Sequence, residues 1–284
     1  MTEEEKITEP IAEPEVVEEE EKIEVEKEVL EVPKEEIIEE RILSKDLEGW
    51  KPKTSLGKKV RSGEITDIDT VLDNGMRILE PQITDMLMPG LQKELLLIGQ
   101  SKGKFGGGSR RIFKQTQKKT PEGNNPSFAC YAVIGNEDGY VGGGSGKSKD
   151  TVPAREKATR NAKLNVLKIR RGCGSWECGC KTPHSIPFEV EGKCGSVIIK
   201  LIPAPKGKGL CIEPECAKIL KLAGIKDIWS KTFGQTKVKT NLVKACMIAL
   251  QQLMKIKVNP NRYAALGIKE GRASEVAITE EKNE

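Results

Sequence analysis

The pattern of apolar and polar positions divides most of the chain into two successive groups of helices and strands. In the first group, apolar residues recur with near-helical spacing over 76–87, which predicts a short amphipathic helix. The apolar runs 95–98 and 128–134 predict two buried strands, and residues 140–141 begin a third, short strand. A proline in the first turn then opens a predicted helix over 153–169, with alanines and leucines on its packing side. The predicted order is therefore helix, three strands, helix.

The second group follows a segment rich in cysteine and glycine at 172–184. Its pattern predicts six elements in the order strand, strand, strand, helix, strand, helix, over 186–190, 197–203, 210–212, 214–223, 227–233 and 238–256. The remaining residues, 258–284, are predicted to form a turn-rich, peripheral C-terminal extension. Together the two groups predict an α+β protein with two domains, 76–171 and 185–257.

The N-terminal residues 1–47 form a strongly acidic segment. Residues 1–48 contain 20 Asp and Glu against 6 Lys and Arg, and several prolines interrupt the segment. This composition predicts a solvated, disordered tail. Binding of a partner, or screening of the rest of the chain, is the alternative interpretation. The mixed, turn-rich residues 48–75 are predicted to be an arm that connects this tail to the first domain.

The small net charge of the whole chain, +4, conceals a strongly basic central region. Residues 49–272 carry 40 basic and 19 acidic side chains, which gives that region a net charge of +21. A folded region this basic is typical of a protein that binds a polyanion. The sequence contains no run of about 18 apolar residues and no signal peptide at its N-terminus, so we expect neither a membrane span nor secretion.

Cysteine usage points to a reducing compartment, the cytoplasm, because eight cysteines in an unsecreted chain favour thiols or a metal site over disulfides. Because general base catalysis often uses histidine, the presence of a single histidine, His184, argues weakly against an enzyme. Three of the cysteines lie close to this histidine in the sequence. Zinc prefers such soft ligands at short spacings on glycine-rich turns. The spacing includes a C-x-C pair rather than two CxxC pairs, and Cys194 is an alternative ligand. A structural zinc site and free thiols in a tight loop both remain open; the candidate zinc ligands are Cys173, Cys178, Cys180 and His184.

Residues 100–119 combine basic side chains with glycines and two phenylalanines. We expect a loop whose cations contact RNA phosphates. Its phenylalanines are predicted to anchor the loop or the core, and stacking on bases is the alternative role for them. An ordinary solvated hairpin tip is the alternative. The candidate RNA-binding residues of this loop are Lys102, Lys104, Phe105, Arg110, Arg111, Lys114, Gln117, Lys118 and Lys119.

A second glycine-rich segment, residues 139–154, reads GYVGGGSGKSKDTVPA. It differs from a nucleotide-binding P-loop, because that motif requires a glycine five residues before Gly146 and the chain has Val141 there. We therefore predict a glycine turn whose free backbone N–H groups bind the phosphates of a nucleic acid. A nucleotide site and a purely structural turn are the alternatives. The candidate RNA-binding residues here and along the following helix are Lys147, Lys149, Arg155, Lys157, Arg160, Arg170 and Arg171.

Several motifs, in the same order, are similar to those of a known family. Residues 139–154, followed by a basic helix ending in Arg-Arg-Gly at 170–172, resemble the characteristic segment of the fifth protein of the small ribosomal subunit. The second domain is similar through four further motifs, PHSIP (183–187), GKCGSV (192–197), LIPAPKGKG (201–209) and LAGIKD (222–227). The resemblance covers residues 48–257. The PHSIP and GGGSR (106–110) motifs resemble the archaeal and eukaryotic branch of the family, and the cysteine segment resembles its archaeal members.

The resemblance implies a double-stranded-RNA-binding-like α-β-β-β-α domain at 76–171 and a second α/β two-layer sandwich domain at 185–257. It also implies a non-catalytic protein that binds small-subunit ribosomal RNA and contacts neighbouring ribosomal proteins. Such a protein lies near the messenger entry channel, contacts messenger RNA there and supports translational accuracy, with no required cofactor. A free-standing RNA chaperone is the alternative function, and a nucleotide-binding enzyme is a less favoured one.

Overall fold

The structure, a computed structural model, describes residues 49–100 and 110–271, with side chains throughout except at Asn261 and Ala264. The predicted acidic tail therefore lies outside the described residues, and so do the three candidate RNA-binding residues Lys102, Lys104 and Phe105. From Pro52 onward the described chain belongs to one compact unit.

Two short helices form the arm that precedes the first sheet: α1 (Ser55–Arg61) and α2 (Ile68–Asp73). The next helix, α3 (Pro81–Leu87), is shorter than the helix predicted over 76–87. Glu80 has an extended backbone, because the residue before a proline is disfavoured in the helical region. Its carboxylate accepts hydrogen bonds from the backbone N–H groups of Lys53 and Thr54 at 2.9 and 2.7 Å, which ties the arm to the start of α3.

The first sheet contains five strands: β1 (Gln92–Leu95), β2 (Lys114–Thr120), β3 (Gly123–Gly135), β4 (Tyr140–Ser148) and β5 (Val166–Lys168). Its order is β1-β3-β4-β5, and β2 also pairs with β3. Both β1 and β2 run antiparallel to β3, β1 along residues 132–135 and β2 along residues 123–129. The first predicted strand is thus replaced by two strands that share one edge of β3, and residues 114–120 are a strand rather than part of a loop.

Helix α4 (Thr151–Leu164) covers one face of this sheet. It buries Ala154, Ala158 and Ala162, as the sequence predicts. The helix ends at Leu164, and the residues that follow form β5 and then β6 (Arg170–Arg171), so the predicted extension of the helix to residue 169 is wrong.

The second sheet has the order β7-β8-β10-β9, with β7 (Val190–Cys194), β8 (Val197–Pro203), β9 (Leu210–Cys211) and β10 (Ile228–Phe233). Only the β9–β10 pair is parallel. The strand predicted over 186–190 is displaced, since pairing begins at Val190 and includes Gly192.

Two helices accompany the second sheet, α5 (Pro214–Leu222) and α6 (Lys239–Lys255), and both agree closely with the predicted helices. Helix α6 packs directly on β7. A Cβ atom at Gly192 would collide with the backbone oxygen of Ala245 in α6, so a glycine in this strand allows the close contact.

Apolar side chains from both sheets belong to one buried cluster. Leu96, Tyr131 and Val133 of the first sheet region share it with Ile199 and Leu250 of the second. Backbone contacts cross the same boundary, because the N–H of Glu137 donates to the carbonyl of Leu222 at 2.9 Å. The two predicted domains therefore meet through a shared core within the compact unit.

The C-terminal part of the described chain is more ordered than predicted. Helix α7 (Pro260–Leu266) and strand β11 (Lys269–Glu270) follow α6, and β11 pairs antiparallel with β6. The expectation of a peripheral, turn-rich stretch is therefore wrong for residues 260–270. Over residues 49–100 and 110–271, no helix is both long and apolar enough to cross a membrane.

Candidate nucleic-acid interface

The glycine-rich segment at 142–148 lies within strand β4, and the predicted glycine turn is wrong. Its residues pair in register with β3, from Gly142 opposite Ile134 to Ser148 opposite Phe128. A nucleotide-binding loop is an irregular turn that wraps around phosphate, whereas these residues form an extended strand paired with β3, so the structure offers no support for such a loop here.

The glycines of β4 instead allow the helix to lie close to the sheet. A Cβ atom at Gly144 would collide with the backbone nitrogen of Ala162, and one at Gly146 with the backbone oxygen of Ala154. A strand of ordinary side chains would hold α4 several ångströms further away, at the usual distance between a sheet and the helix that covers it. The repeated glycine is therefore a packing feature, although the sequence alone predicts a phosphate-binding turn.

A row of lysines crosses the sheet on the face opposite α4. Lys114 of β2 and Lys147 of β4 are both cross-strand partners of Ala129 in β3, so the three side chains project from the same face. Lys118 lies four residues beyond Lys114 and shares that face by the two-residue period of a strand. All three lysines are exposed. They form a cationic surface of the kind that binds RNA phosphates.

The other predicted residues of this region flank that row. Gln117 and Lys119 are exposed on the opposite face of β2, and Lys149 is exposed immediately after β4. On α4, the candidate RNA-binding residues Arg155, Lys157 and Arg160 are exposed. Burial raises the pKa of the Cys130 thiol, and the charge of Arg155 partly opposes that rise.

The base of the loop between β1 and β2 is closed by backbone contacts. The N–H of Gly99 donates to the carbonyl of Arg111 at 2.7 Å, and a Cβ atom at Gly99 would collide with the carbonyl of Phe113. Arg111 is exposed, whereas Arg110 donates to the backbone carbonyl of Lys237 at 3.3 Å. These contacts hold the backbone at Gly99 against residues 111–113.

Arg170 and Arg171 do not belong to the exposed basic surface, although the sequence analysis includes them in it. Arg170 is 9% exposed; its Nε donates to Glu270 at 2.6 Å, and its guanidinium also bonds the carbonyls of Leu253 and Ile256. Arg171 is equally buried and donates to the carbonyls of Glu137 and Gly271. Burial also lowers the pKa of Arg171, partly offset by Asp138. Both arginines therefore link distant parts of the chain through buried hydrogen bonds and do not face solvent.

The four candidate zinc ligands come together in the structure. One ligand atom from each of Cys173, Cys178, Cys180 and His184 lies within 4.8 Å of the other three. The Sγ of Cys178 is 3.8 Å from the Nε2 of His184. Cys194, the alternative ligand, lies in β7 opposite Val197 and is not part of this cluster.

The thiols of Cys173 and Cys180 have different environments. Burial raises the pKa of Cys173 to about 11, and its thiol donates to the carbonyl of Cys178 at 3.2 Å. Hydrogen bonding to the side chain of Thr182, 3.1 Å away, lowers the pKa of the Cys180 thiol to about 6. The cluster therefore extends from the protein interior to its surface.

The residue that orients His184 is not apparent from the sequence. The carboxylate of Asp227, 4% exposed, lies 2.9 Å from His184 Nδ1 through Oδ2, and its Oδ1 accepts the N–H groups of Gly207 and Gly209. Asp227 ends the LAGIKD motif, and Gly207 and Gly209 lie in the LIPAPKGKG motif. Nothing in the sequence indicates that Asp227 contacts a histidine 43 residues before it. Trp176, 89% exposed at the tip of the cysteine segment, was also not singled out.

Two segments of the chain match the two domain models of one known protein family. Models of the N-terminal and C-terminal domains of ribosomal protein S5 match residues 112–170 and 192–262. The small ribosomal subunit protein uS5 of Nanoarchaeum equitans is 48% identical over 226 residues, which are 80% of this chain and 97% of that protein. Its counterpart in Methanocaldococcus jannaschii is 44% identical over 227 residues, 80% of this chain and 98% of that protein. These relatives are ribosomal proteins and not enzymes. Because the match extends over nearly their whole length, the chain belongs to the ribosomal protein S5 family, in its archaeal form.

Proposed function

We propose that this chain is a structural component of the small ribosomal subunit in the cytoplasm, and that it binds ribosomal RNA without catalysing a reaction. Membership of the S5 family supports incorporation into the small ribosomal subunit, and the exposed basic surface supports binding to ribosomal RNA. The single observation that carries the RNA-binding proposal is the row formed by Lys114, Lys118 and Lys147 on one face of the first sheet.

The proposed mechanism is electrostatic. Each lysine or arginine that neutralises a phosphate releases condensed counterions, which makes binding favourable and strongly dependent on salt. Strand β2 is well suited to this contact because its residues are exposed along nearly its whole length. Since the row consists of lysines, which contact phosphates and carry no direct sequence information, we expect recognition of folded RNA with little sequence preference.

The loop between β1 and β2 is the element we assign to the messenger entry channel. Its closed base at Gly99 and Arg111 gives it a fixed point of departure, and its sequence is rich in glycine and cations. In this position its lysines and arginines would contact messenger RNA and neighbouring ribosomal proteins, and through them affect the accuracy of decoding. The family resemblance supports this placement.

Co-sedimentation tests the assembly. We expect the protein to remain with small subunits through a sucrose gradient after a stringent salt wash. Release of the protein as free chains, with RNA-annealing activity of its own, would instead support a free-standing RNA chaperone and overturn the structural role.

Salt titration of RNA binding tests the surface. The double variant Lys114→Gln, Lys118→Gln should reduce the slope of log K against log salt by roughly one unit or more, since each lost phosphate contact removes about 0.7–0.9. Lys200→Gln is the matched control, because Lys200 already pairs with Glu191 at 3.3 Å on the second sheet. An unchanged slope in the double variant would remove this face from the interface.

A further inference from the structure

We propose that Cys173, Cys178, Cys180 and His184 bind one structural zinc ion, and that Asp227 couples this ion to the glycine loop at 205–209. This inference goes beyond RNA binding and assigns a metal site to the segment that joins the two domains. It rests on the spatial cluster of four ligands and on the buried carboxylate behind the histidine.

The geometry of the cluster is close to that of a zinc tetrahedron. Zn–S bonds of about 2.3 Å and a Zn–N bond of about 2.0 Å separate neighbouring ligand atoms by roughly 3.5–3.8 Å. The distance of 3.8 Å between Cys178 Sγ and His184 Nε2 is within about 0.3 Å of the value of roughly 3.5 Å that a sulfur–nitrogen pair has in such a tetrahedron. All other distances between ligand atoms are at most 4.8 Å. Small side-chain rotations therefore suffice to close the site around an ion.

The chemistry of the ligands selects zinc among the common metals. Three thiols and one imidazole suit a soft or borderline cation, whereas Mg²⁺ and Ca²⁺ require oxygen ligands. Four protein ligands also leave no coordination position for a substrate or an activated water. The site is therefore structural, in agreement with a protein that has no catalytic role.

Asp227 supplies the outer support that zinc-bound histidines usually have. Its Oδ2 accepts the Nδ1 proton of His184 at 2.9 Å, which fixes the tautomer and directs the lone pair of Nε2 towards the three sulfur atoms. The backbone N–H of Asp227 donates in turn to the carbonyl of His184 at 3.1 Å. The histidine is therefore held in a ligating orientation by the fold itself.

The same carboxylate connects the site to a second basic loop. Its Oδ1 accepts the N–H groups of Gly207 and Gly209 at 3.0 and 2.8 Å, so it holds the loop that exposes Lys206 and Lys208. Binding of zinc would thus stabilise the cysteine segment, the histidine and this loop as one unit.

Metal analysis of the purified full-length chain, prepared without a metal-affinity tag, tests the proposal directly. We expect close to one zinc per chain, and the cobalt-substituted protein should show the intense visible absorption of a tetrahedral thiolate site. A chain that contains no zinc after purification and binds none on titration, with its thiols free or joined in a disulfide, would overturn the proposal. Iron in place of zinc would overturn the assignment of the metal.

Substitutions test the individual ligands. Cys178→Ser should lose the bound zinc, whereas Cys211→Ser, a change at an exposed cysteine outside the cluster, should keep it. Retention of the full zinc content by Cys178→Ser would contradict the ligand assignment. If Cys178→Ser does not fold, Cys180→Ser, at a second half-buried ligand, provides the same comparison.

Asp227→Asn tests the positioning role. This variant should still bind one zinc, but with an affinity 10–100-fold lower in competition with a chelator. An unchanged affinity would show that Asp227 does not support the site. Since these readouts measure metal content and not RNA, failure of the zinc proposal leaves the RNA-binding proposal standing, and the reverse is also true.

Discussion

At the scale of single residues, the contact between α4 and the first sheet depends on positions that have no side chain. Gly142, Gly144 and Gly146 all face the helix, and a Cβ atom at any of them would meet its backbone. The helix contributes the matching small residues Ala154, Ala158 and Ala162, all fully buried. Two smooth surfaces thus approach closely, and dispersion contacts extend along the whole helix.

We predict that Gly144→Ala destabilises the protein by about 3 kcal/mol, because the added methyl group forces the helix backbone away from β4. Urea unfolding followed by circular dichroism measures this change. Ser145→Ala, at an exposed position one residue along the same strand, should change stability by less than about 0.5 kcal/mol. Equal stability of the two variants would contradict the packing role of the glycine.

A second prediction at this scale concerns the buried Arg170. Arg170→Met should cost about 2 kcal/mol, since it leaves two backbone carbonyls without their donor and Glu270 without its cationic partner, with only the hydroxyl of Tyr263 still donating to that carboxylate. The RNA affinity of the folded variant should change by less than about twofold. The exposed Arg155→Met should show the opposite pattern, with unchanged stability and weaker RNA binding. A loss of RNA affinity in Arg170→Met that matches the loss in Arg155→Met would return Arg170 to the interface.

At the scale of helices and strands, the sequence predicts elements well where one face is apolar. Helix α6 was expected over 238–256 and spans Lys239–Lys255, because its buried residues recur with helical period. Strand β2 was missed because its side chains are exposed on both faces, so no alternation of apolar and polar residues marks it. Its existence is determined by pairing with β3, a contact that local sequence does not encode.

We predict that β2 opens more readily than the strand it pairs with. Among the described strands β2 pairs with β3 alone, and it buries little apolar surface. In hydrogen exchange, amides of 114–120 should exchange at least about tenfold faster than those of 130–135, and bound ribosomal RNA should slow them. The central strand β8 provides the internal control, because RNA should not alter its protection. If RNA protects β8 and leaves β2 unchanged, the proposed interface is on the wrong part of the protein.

At the scale of the whole molecule, the candidate sites were predictable to different degrees. The four zinc ligands could be found because they lie within twelve residues of each other, whereas Asp227 joins them only through the fold. The basic surface was predictable from charge, but the exclusion of Arg170 and Arg171 was not. Their partners Glu270 and Gly271 lie 100 residues further along the chain, and a buried arginine has the same sequence character as an exposed one.

The charge of the whole chain carries the last prediction. Without residues 1–48 the protein would have 41 basic and 23 acidic side chains, and its net charge would rise from +4 to +18. We expect the acidic segment to compete with RNA for the basic surface, so its removal should strengthen binding to non-ribosomal RNA at low salt by about tenfold or more. The difference should largely disappear at high salt, where these interactions are screened.

A length-matched control separates charge from chain length. In a full-length variant with every Asp and Glu of residues 1–48 changed to Asn or Gln, RNA binding should strengthen at least as much as in the deletion, since its length is native and its local acidity is gone. Filter binding over a series of salt concentrations measures all three proteins. If the neutralised variant binds like the wild type while the deletion binds tightly, the segment obstructs the surface by its bulk, and the electrostatic account of the acidic segment is wrong.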